Sequence, residues 1–261
     1  ELPRDDRVDE DTLQFADDAT HSVVGSSTEE IGQKLVERYS KTKKFCDSHG
    51  LTLNTKKTNF IILKQPSKRI PADFELCLDD VKLTPLKEVK LLGVHLDRHL
   101  TFAYHIEQTV CKARGLLGVL RRACKWLPRG LTLLAYQALI RSHLEYASAL
   151  FVGIASTHNE KMERLQRVAA RIICGADRDA HAEPLLTQLG LRSLADRRKE
   201  RAIGIIEAIL TGECHPALLD LVNPSPEADK LVVKNPRTAI GSRRFSVAGA
   251  SAFNENNSCV Y

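Results

Sequence analysis

Thr12-Leu13-Gln14-Phe15-Ala16-Asp17-Asp18-Ala19-Thr20-His21-Ser22-Val23-Val24 reads as two short extended segments broken by a pair of acids. Residues 12–16 alternate in polarity, which predicts a strand. Asp17-Asp18 is expected to be the turn, since aspartate side chains bond readily to nearby backbone. Ala19 to Val24 is expected to be the returning strand. Two adjacent carboxylates at a hairpin tip suit divalent cations. Magnesium prefers carboxylates together with phosphate oxygens, and two such ions about 4 Å apart activate a hydroxyl and stabilise a leaving group. The same dipeptide is also ordinary turn chemistry. Asp79-Asp80, between alternating Phe74, Leu76, Leu78 and Val81, Leu83, reads as that ordinary case.

Downstream, Ser27-Thr28-Glu29-Glu30 fits a capping box. The helix it opens carries Ile31, Leu35, Tyr39 and Phe45-Cys46 on one face and stops near Gly50. Strands are expected at 51–54, 59–63 and 89–96. After Thr101 the period lengthens from 2 to 3.6. Ile106, Val110, Ala113, Leu117 and Leu120 share one helical face. Pro128 precedes a second helix, with Leu131, Leu134-Ala135, Ala138-Leu139 and Leu144 inward. A capping box at Thr157 to Glu160 opens a third, with Met162, Leu165, Val168-Ala169 and Ile172 inward. Shorter helices are expected at 182–189 and 194–211. The prolines at 224, 226 and 236 predict an irregular tail over 223–261.

The fold class is therefore α+β. Residues 1–11 are expected to be loose, 12–98 to be antiparallel strands with one helix, and 99–222 to be all-helical. The chain has 261 residues and a net charge of +5. Residues 1–20 are net −6, so the remainder is net +11, a weak pointer to a polyanionic partner. Seven cysteines with no Cys-x-x-Cys pair predict reduced thiols in the nucleus or cytoplasm. No signal peptide or membrane span is apparent, and no membrane partner is expected. His95, His99, His105 and Cys111 match no common zinc spacing. The chain begins at Glu1 and its one methionine is Met162, which predicts a piece of a longer reading frame.

Leu13 to Thr20 resembles the polymerase signature of reverse transcriptases, an aromatic residue and alanine followed by two aspartates. Gly50-Leu51-Thr52-Leu53-Asn54-Thr55-Lys56-Lys57-Thr58 resembles the next palm motif of the non-LTR, LINE-type (jockey-like) retrotransposon polymerases. Leu91-Leu92-Gly93-Val94-His95-Leu96-Asp97, then Leu100-Thr101-Phe102 and His105-Ile106, are similar to the segment that grips the primer and leads into the thumb. Tyr136, Ile140-Arg141-Ser142, Leu144 to Ser148, Leu165-Gln166-Arg167 and Ala169-Ala170-Arg171 follow in the family's order. Arg243 to Ala248 resembles a C-terminal element, and Phe253 to Ser258 departs from the family's ending.

The resemblance implies a partial palm followed by a thumb and connection region. It implies RNA-directed DNA polymerase ancestry: an RNA template, a DNA primer, deoxynucleoside triphosphates and Mg2+. Asp17 and Asp18 would bind the metal, Phe15 would lie beside the primer end, Lys57 would face the nucleotide phosphates, and Gly93 would let the primer approach. Arg121, Arg122, Lys125, Arg164, Arg167, Arg171, Arg197 and Arg198 would contact phosphates. The family's third carboxylate sits on an earlier strand that 16 residues before Asp17 do not supply, so this chain alone is expected to be inactive. The alternatives are a non-catalytic nucleic-acid-binding helical module and a decayed element remnant.

Overall fold

A computed structural model describes residues 10–64, 69–71, 73–225, 230–233 and 244–258. Residues 1–9 of the segment expected to be loose lie outside them, while Glu10 and Asp11 instead belong to the first strand. The fold is mixed: helices with small two-stranded antiparallel sheets, an α+β arrangement. Two compact units divide the chain, Glu1–Lys90 with Asp97–Leu100 and Leu91–Leu96 with Thr101–Tyr261. Among the described residues no helix is long and apolar enough to cross a membrane.

In the first unit, β1 (Glu10–Phe15) and β2 (Asp18–Val23) pair antiparallel from Glu10↔Val23 to Phe15↔Asp18. α1 (Thr28–Ser48) follows, packed against β2. Ser27 caps it, its Oγ accepting from Glu30 N at 3.2 Å. Glu30 reaches back to Ser26, accepting from its backbone N at 2.8 Å and its hydroxyl at 2.7 Å. These bonds, with the amide first, hold the Glu30 carboxyl down at about 2. Arg38, Thr42 and Cys46, one turn apart, form the buried line of α1. β3 (Leu76–Leu78) and β4 (Val81–Leu83) form the expected hairpin. Leu76 and Leu78 point inward and Cys77 outward, as pleating requires.

Residues 51–54 form no strand, and 59–63 contribute only the bridge Ile61↔Leu86. The single strand expected at 89–96 is instead a two-stranded sheet, β5 (Glu88–Leu91) and β6 (Val94–Asp97). Leu92 at φ 46° and Gly93 at φ 85° reverse the chain between them. Two successive left-handed residues cannot continue a strand.

The second unit is built on α2 (Ala103–Ala123), whose Ile106, Val110, Ala113, Leu117 and Leu120 are all buried, as their spacing predicts. α3 (Arg129–Ala135) runs into a π-helical stretch over Tyr136–Arg141 and then α4 (Ser142–Glu145). Here the expected face is only partly right. Leu144 is buried as expected and Ala135 packs half-buried against the core, but Leu131, Leu134 and Leu139 are exposed, and Thr132, Tyr136 and Ile140 are buried in their place. α5 (Ser156–Cys174) buries Met162, Leu165 and Ala169, with Val168 and Ile172 half-buried against the same core. No side chain caps its start: the expected box partner Glu160 pairs with Arg167 instead. α6 (Ala182–Gln188) and α7 (Leu194–Leu210) lie where expected.

The irregular tail needs correcting too. Its last described stretch is a helix, α8 (Phe245–Ser258), beyond the reach of the prolines. Ala250 and Phe253 pack with Ile206 and Ile209 of α7. Asn254 meets the backbone of Leu231 through two 2.9 Å bonds, donating to its carbonyl and accepting from its amide.

Candidate functional site

The last pair of the first hairpin is Phe15↔Asp18, so the two-residue turn is Ala16-Asp17. That corrects the expected Asp17-Asp18 turn. Ala16 takes the left-handed conformation at φ 54°, and Gln14 Nε2 donates to its carbonyl at 3.3 Å. For a residue with a Cβ this conformation costs about 1 kcal/mol. The cost places Asp17 at the apex and leaves Asp18 as the first residue of β2. Phe15 and Asp18, as direct partners, project from one face of the hairpin.

Phe15, Asp17 and Asp18 are all exposed. Neither carboxylate has a hydrogen-bond or ion-pair partner among the described residues. Asp79, at the turn of the other hairpin, differs sharply. Its Oδ2 accepts from Tyr39 at 2.8 Å and from Lys43 at 2.7 Å, both on α1. Lys43 first, then Tyr39, hold the Asp79 carboxyl below its usual value, and the bonds to Asp79, after burial, help push the Tyr39 phenol up to about 12. Asp79 is thus occupied in holding structure, and the first hairpin's acids are not.

His21 fixes that first hairpin. Its Nδ1 lies 3.0 Å from Thr12 Oγ1 on β1 and its Nε2 lies 2.9 Å from Thr42 Oγ1 on α1. One imidazole therefore joins both strands to the helix. Burial, and then the positive charge of Arg38, lower its pKa from 6.5. The unfolded chain accordingly takes up the proton more readily than the folded one. The stabilisation from His21 is complete above about pH 6.5 and is lost as pH falls toward the lower folded value. We expect amide hydrogen exchange in β1 and β2 to quicken between about pH 7.5 and about pH 5.5, after correction for intrinsic rates. His21→Gln should flatten that dependence. An unchanged profile in the variant would exclude His21 as its source.

Lys57 ends a short 3-10 turn, Thr55–Lys57, and is exposed; no hydrogen bond or ion pair joins it to Asp17 or Asp18. Gly93 is part of the β5–β6 turn, and its close neighbour belongs to the protein itself. A Cβ there would lie 3.2 Å from the Tyr146 ring, whose hydroxyl donates to Leu92 O at 2.6 Å. The open approach expected at Gly93 is filled on that side by Tyr146.

The eight cations divide evenly. Arg121, Arg122, Lys125 and Arg164 are exposed and form no ion pair among the described residues. The other four have structural partners, and of these Arg198 is too deeply buried to reach a phosphate. Arg167 pairs with Glu160. Arg171 Nε donates to Ala180 O at 2.8 Å. Arg197 grips the Glu145 carboxylate through two nitrogens. Arg198 is 3% exposed, donates to Asn159 Oδ1, and is lowered in pKa by burial.

His105 is buried and stacks on Phe151, while His99 Nδ1 lies against Lys64 O. Among the described residues no three acids, histidines or cysteines gather as a metal-ligand group. Sequence reasoning overlooked Trp126, which is 86% exposed beside Lys125. Its signal was the one tryptophan of the chain set among basic residues. No protein-family model matches the chain, and neither a curated protein nor a solved structure matches it.

Proposed function

We propose that this chain carries part of the catalytic palm, with the following helical region, of a retrotransposon-type RNA-directed DNA polymerase. The observation that carries the reading is the first hairpin: two adjacent carboxylates, Asp17 in the turn and Asp18 opening β2, exposed and without partners among the described residues, beside the strand residue Phe15. Asp17 and Asp18 offer the hard oxygen ligands that Mg2+ takes. Bound there, the ion would neutralise phosphate charge as a deoxynucleoside triphosphate meets a primer hydroxyl. Phe15, on the face shared with Asp18, would pack against the primer end. Lys57, exposed and uncommitted, is suited to the triphosphate.

Two carboxylates without a third are an incomplete two-metal site among the described residues. The chain by itself should therefore extend no primer. Joined in frame to a strand carrying a third acid, it should extend a DNA primer on an RNA template with Mg2+. Asp17→Asn in that longer protein should cut incorporation by about 100-fold or more, the scale of losing one preorganised electrostatic partner. Full activity of the longer Asp17→Asn protein would refute the assignment.

A non-catalytic nucleic-acid-binding module is the second reading, favoured by the exposed Arg121, Arg122, Lys125 and Arg164. Binding of nucleic acid by the longer protein without synthesis would select it.

A further inference from the structure

Gln108 to Leu144 contains seven lysines and arginines and no carboxylate, in a chain where about one residue in eight is acidic. Glu107, the acid just before it, pairs with Lys161. The stretch spans most of α2, the turn after it, α3, the π-helical stretch and all but the last residue of α4, whose Glu145 faces Arg141. At its middle stands Trp126, in the turn that closes α2, its amide donating to Ala123 O at 2.9 Å. Its 86% exposure is the largest among the exposed apolar side chains, so the indole contributes almost nothing to a core. Arg121, Arg122 and Lys125 surround it in sequence, exposed and without ion-pair partners among the described residues.

A bland account covers the cations alone: positive charge near a helix C-terminus complements the macrodipole. It gives no reason for an indole held in water, nor for two glycines within α2. Gly115 and Gly118 each have nothing within 4 Å of the place a Cβ would occupy, so packing does not require them. Glycine inside a helix is unfavourable relative to alanine. Gly115, Gly118, Arg122 and Lys125 follow at three- to four-residue spacing, which sets them along one side of the helix leading to Trp126. That side combines bare backbone, uncompensated positive charge and a flat aromatic ring.

We propose that Trp126 is a stacking platform for an unpaired base of a single-stranded nucleic acid. Arg121, Arg122 and Lys125 take the flanking phosphates, and the glycines let the strand lie close to α2. Every base has a face to stack, so the site selects unpaired strands over duplexes and not one sequence over another. The inference extends the nucleic-acid reading of the chain. It stands entirely on the helical unit, so it holds or fails independently of catalysis by Asp17 and Asp18.

The test is direct because Trp126 is the one tryptophan, and indole fluorescence therefore reports this site alone. Titration of the whole chain with a thymidine oligonucleotide of about 15 nucleotides, near one single-strand site size, should quench it saturably. A duplex with the same number of phosphates should quench it little. With a fluorescent label on the oligonucleotide, Trp126→Ala should weaken binding about 10- to 100-fold, and Trp126→Phe by no more than about 3-fold. Arg121→Ala and Arg122→Ala should each lower the slope of log affinity against log salt by about 0.7. Lys82→Ala, which removes an exposed cation of the other unit, should change neither affinity nor slope. The removed indole leaves no cavity, so circular dichroism should be unchanged. Equal binding of duplex and single strand would overturn the proposal, as would an undiminished affinity in Trp126→Ala. Vesicles rich in phosphatidylserine that shift the emission to the blue, where the oligonucleotide does nothing, would assign the surface to a membrane instead.

Discussion

Arg197→Ala lowers the stability of the helical unit by about 3 kcal/mol, and Arg201→Ala by less than about 1 kcal/mol, although both face the same carboxylate. Glu145 ends α4 and is 7% exposed. A carboxylate that deep has lost most of its water, and its charge is tolerated only if it is paired and hydrogen-bonded. Arg197 on α7 does both. Its Nε donates to Oε1 and its Nη2 donates to Oε2 at 3.1 Å. The bond to Glu145 is the leading cause that raises the Arg197 pKa. Arg141 and Arg201 each stand 3.9 Å from Oε2. At that distance they attract the charge but make no hydrogen bond. Removing Arg197 therefore strips Oε1 of its donor and leaves a partly compensated charge inside. Removing Arg201, itself largely in water, leaves the fork intact. Arg197→Lys keeps the charge and loses the planar fork, so it falls between the two. Urea unfolding followed by circular dichroism gives the ordering. The double variant Glu145→Ala/Arg197→Ala should be more stable than Arg197→Ala alone, because it removes the stranded carboxylate as well. Equal losses for Arg197→Ala and Arg201→Ala would mean that the fork is not what matters.

That Arg197 and Arg198 were read as phosphate contacts marks a limit of sequence. Arg121 and Arg198 look alike in one dimension, each a basic residue beside another on an apolar-periodic helix. What separates them is the neighbouring element. α5 brings Asn159 and the field of Glu163 to Arg198, while Arg121 is exposed. α2 and α5 were legible because a single apolar stripe at a 3.6-residue period leaves one face to bury. The helix after Pro128 offered two overlapping apolar stripes, Leu131-Leu134-Leu139 and Tyr136-Ile140, both running on toward Leu144. The π-helical stretch at Tyr136–Arg141 widens the turn, so the buried positions 136, 140 and 144 fall four apart and a uniform 3.6-residue period drifts off them. At the candidate site the strand pairing was readable from alternation. The exact turn was not, because alanine in a left-handed conformation has no sequence signal.

Tyr136 is where that stripe is decided, and Tyr136→Ala should cost about 4 kcal/mol, enough to threaten the fold of the helical unit. Its side chain is 0% exposed in the core shared with Ile106, Val110, Leu165 and Leu194. Truncation opens a ring-sized cavity among side chains from several helices, and rigid helices close on such a void only in part. The hydroxyl adds a separate contribution. It donates to Gln166 Oε1 at 2.9 Å, and Gln166 Nε2 in turn donates to Arg192 O at 3.0 Å. Gln166 is itself 0% exposed, so no water replaces a lost partner. Burial pushes the Tyr136 phenol well above its ordinary value, which keeps it a donor throughout the physiological range. Tyr136→Phe isolates this bond: it fills the same volume and leaves Gln166 Oε1 unpaired, at about 1–3 kcal/mol. Denaturant midpoints at unchanged slope should therefore order wild type, Tyr136→Phe and Tyr136→Ala in clearly separated steps. If Tyr136→Phe matched the wild type, Gln166 would have another donor and the chain Tyr136–Gln166–Arg192 would not be what selects this face. If instead the two variants fell together, the hydrogen bond and not the ring would hold the helix in register.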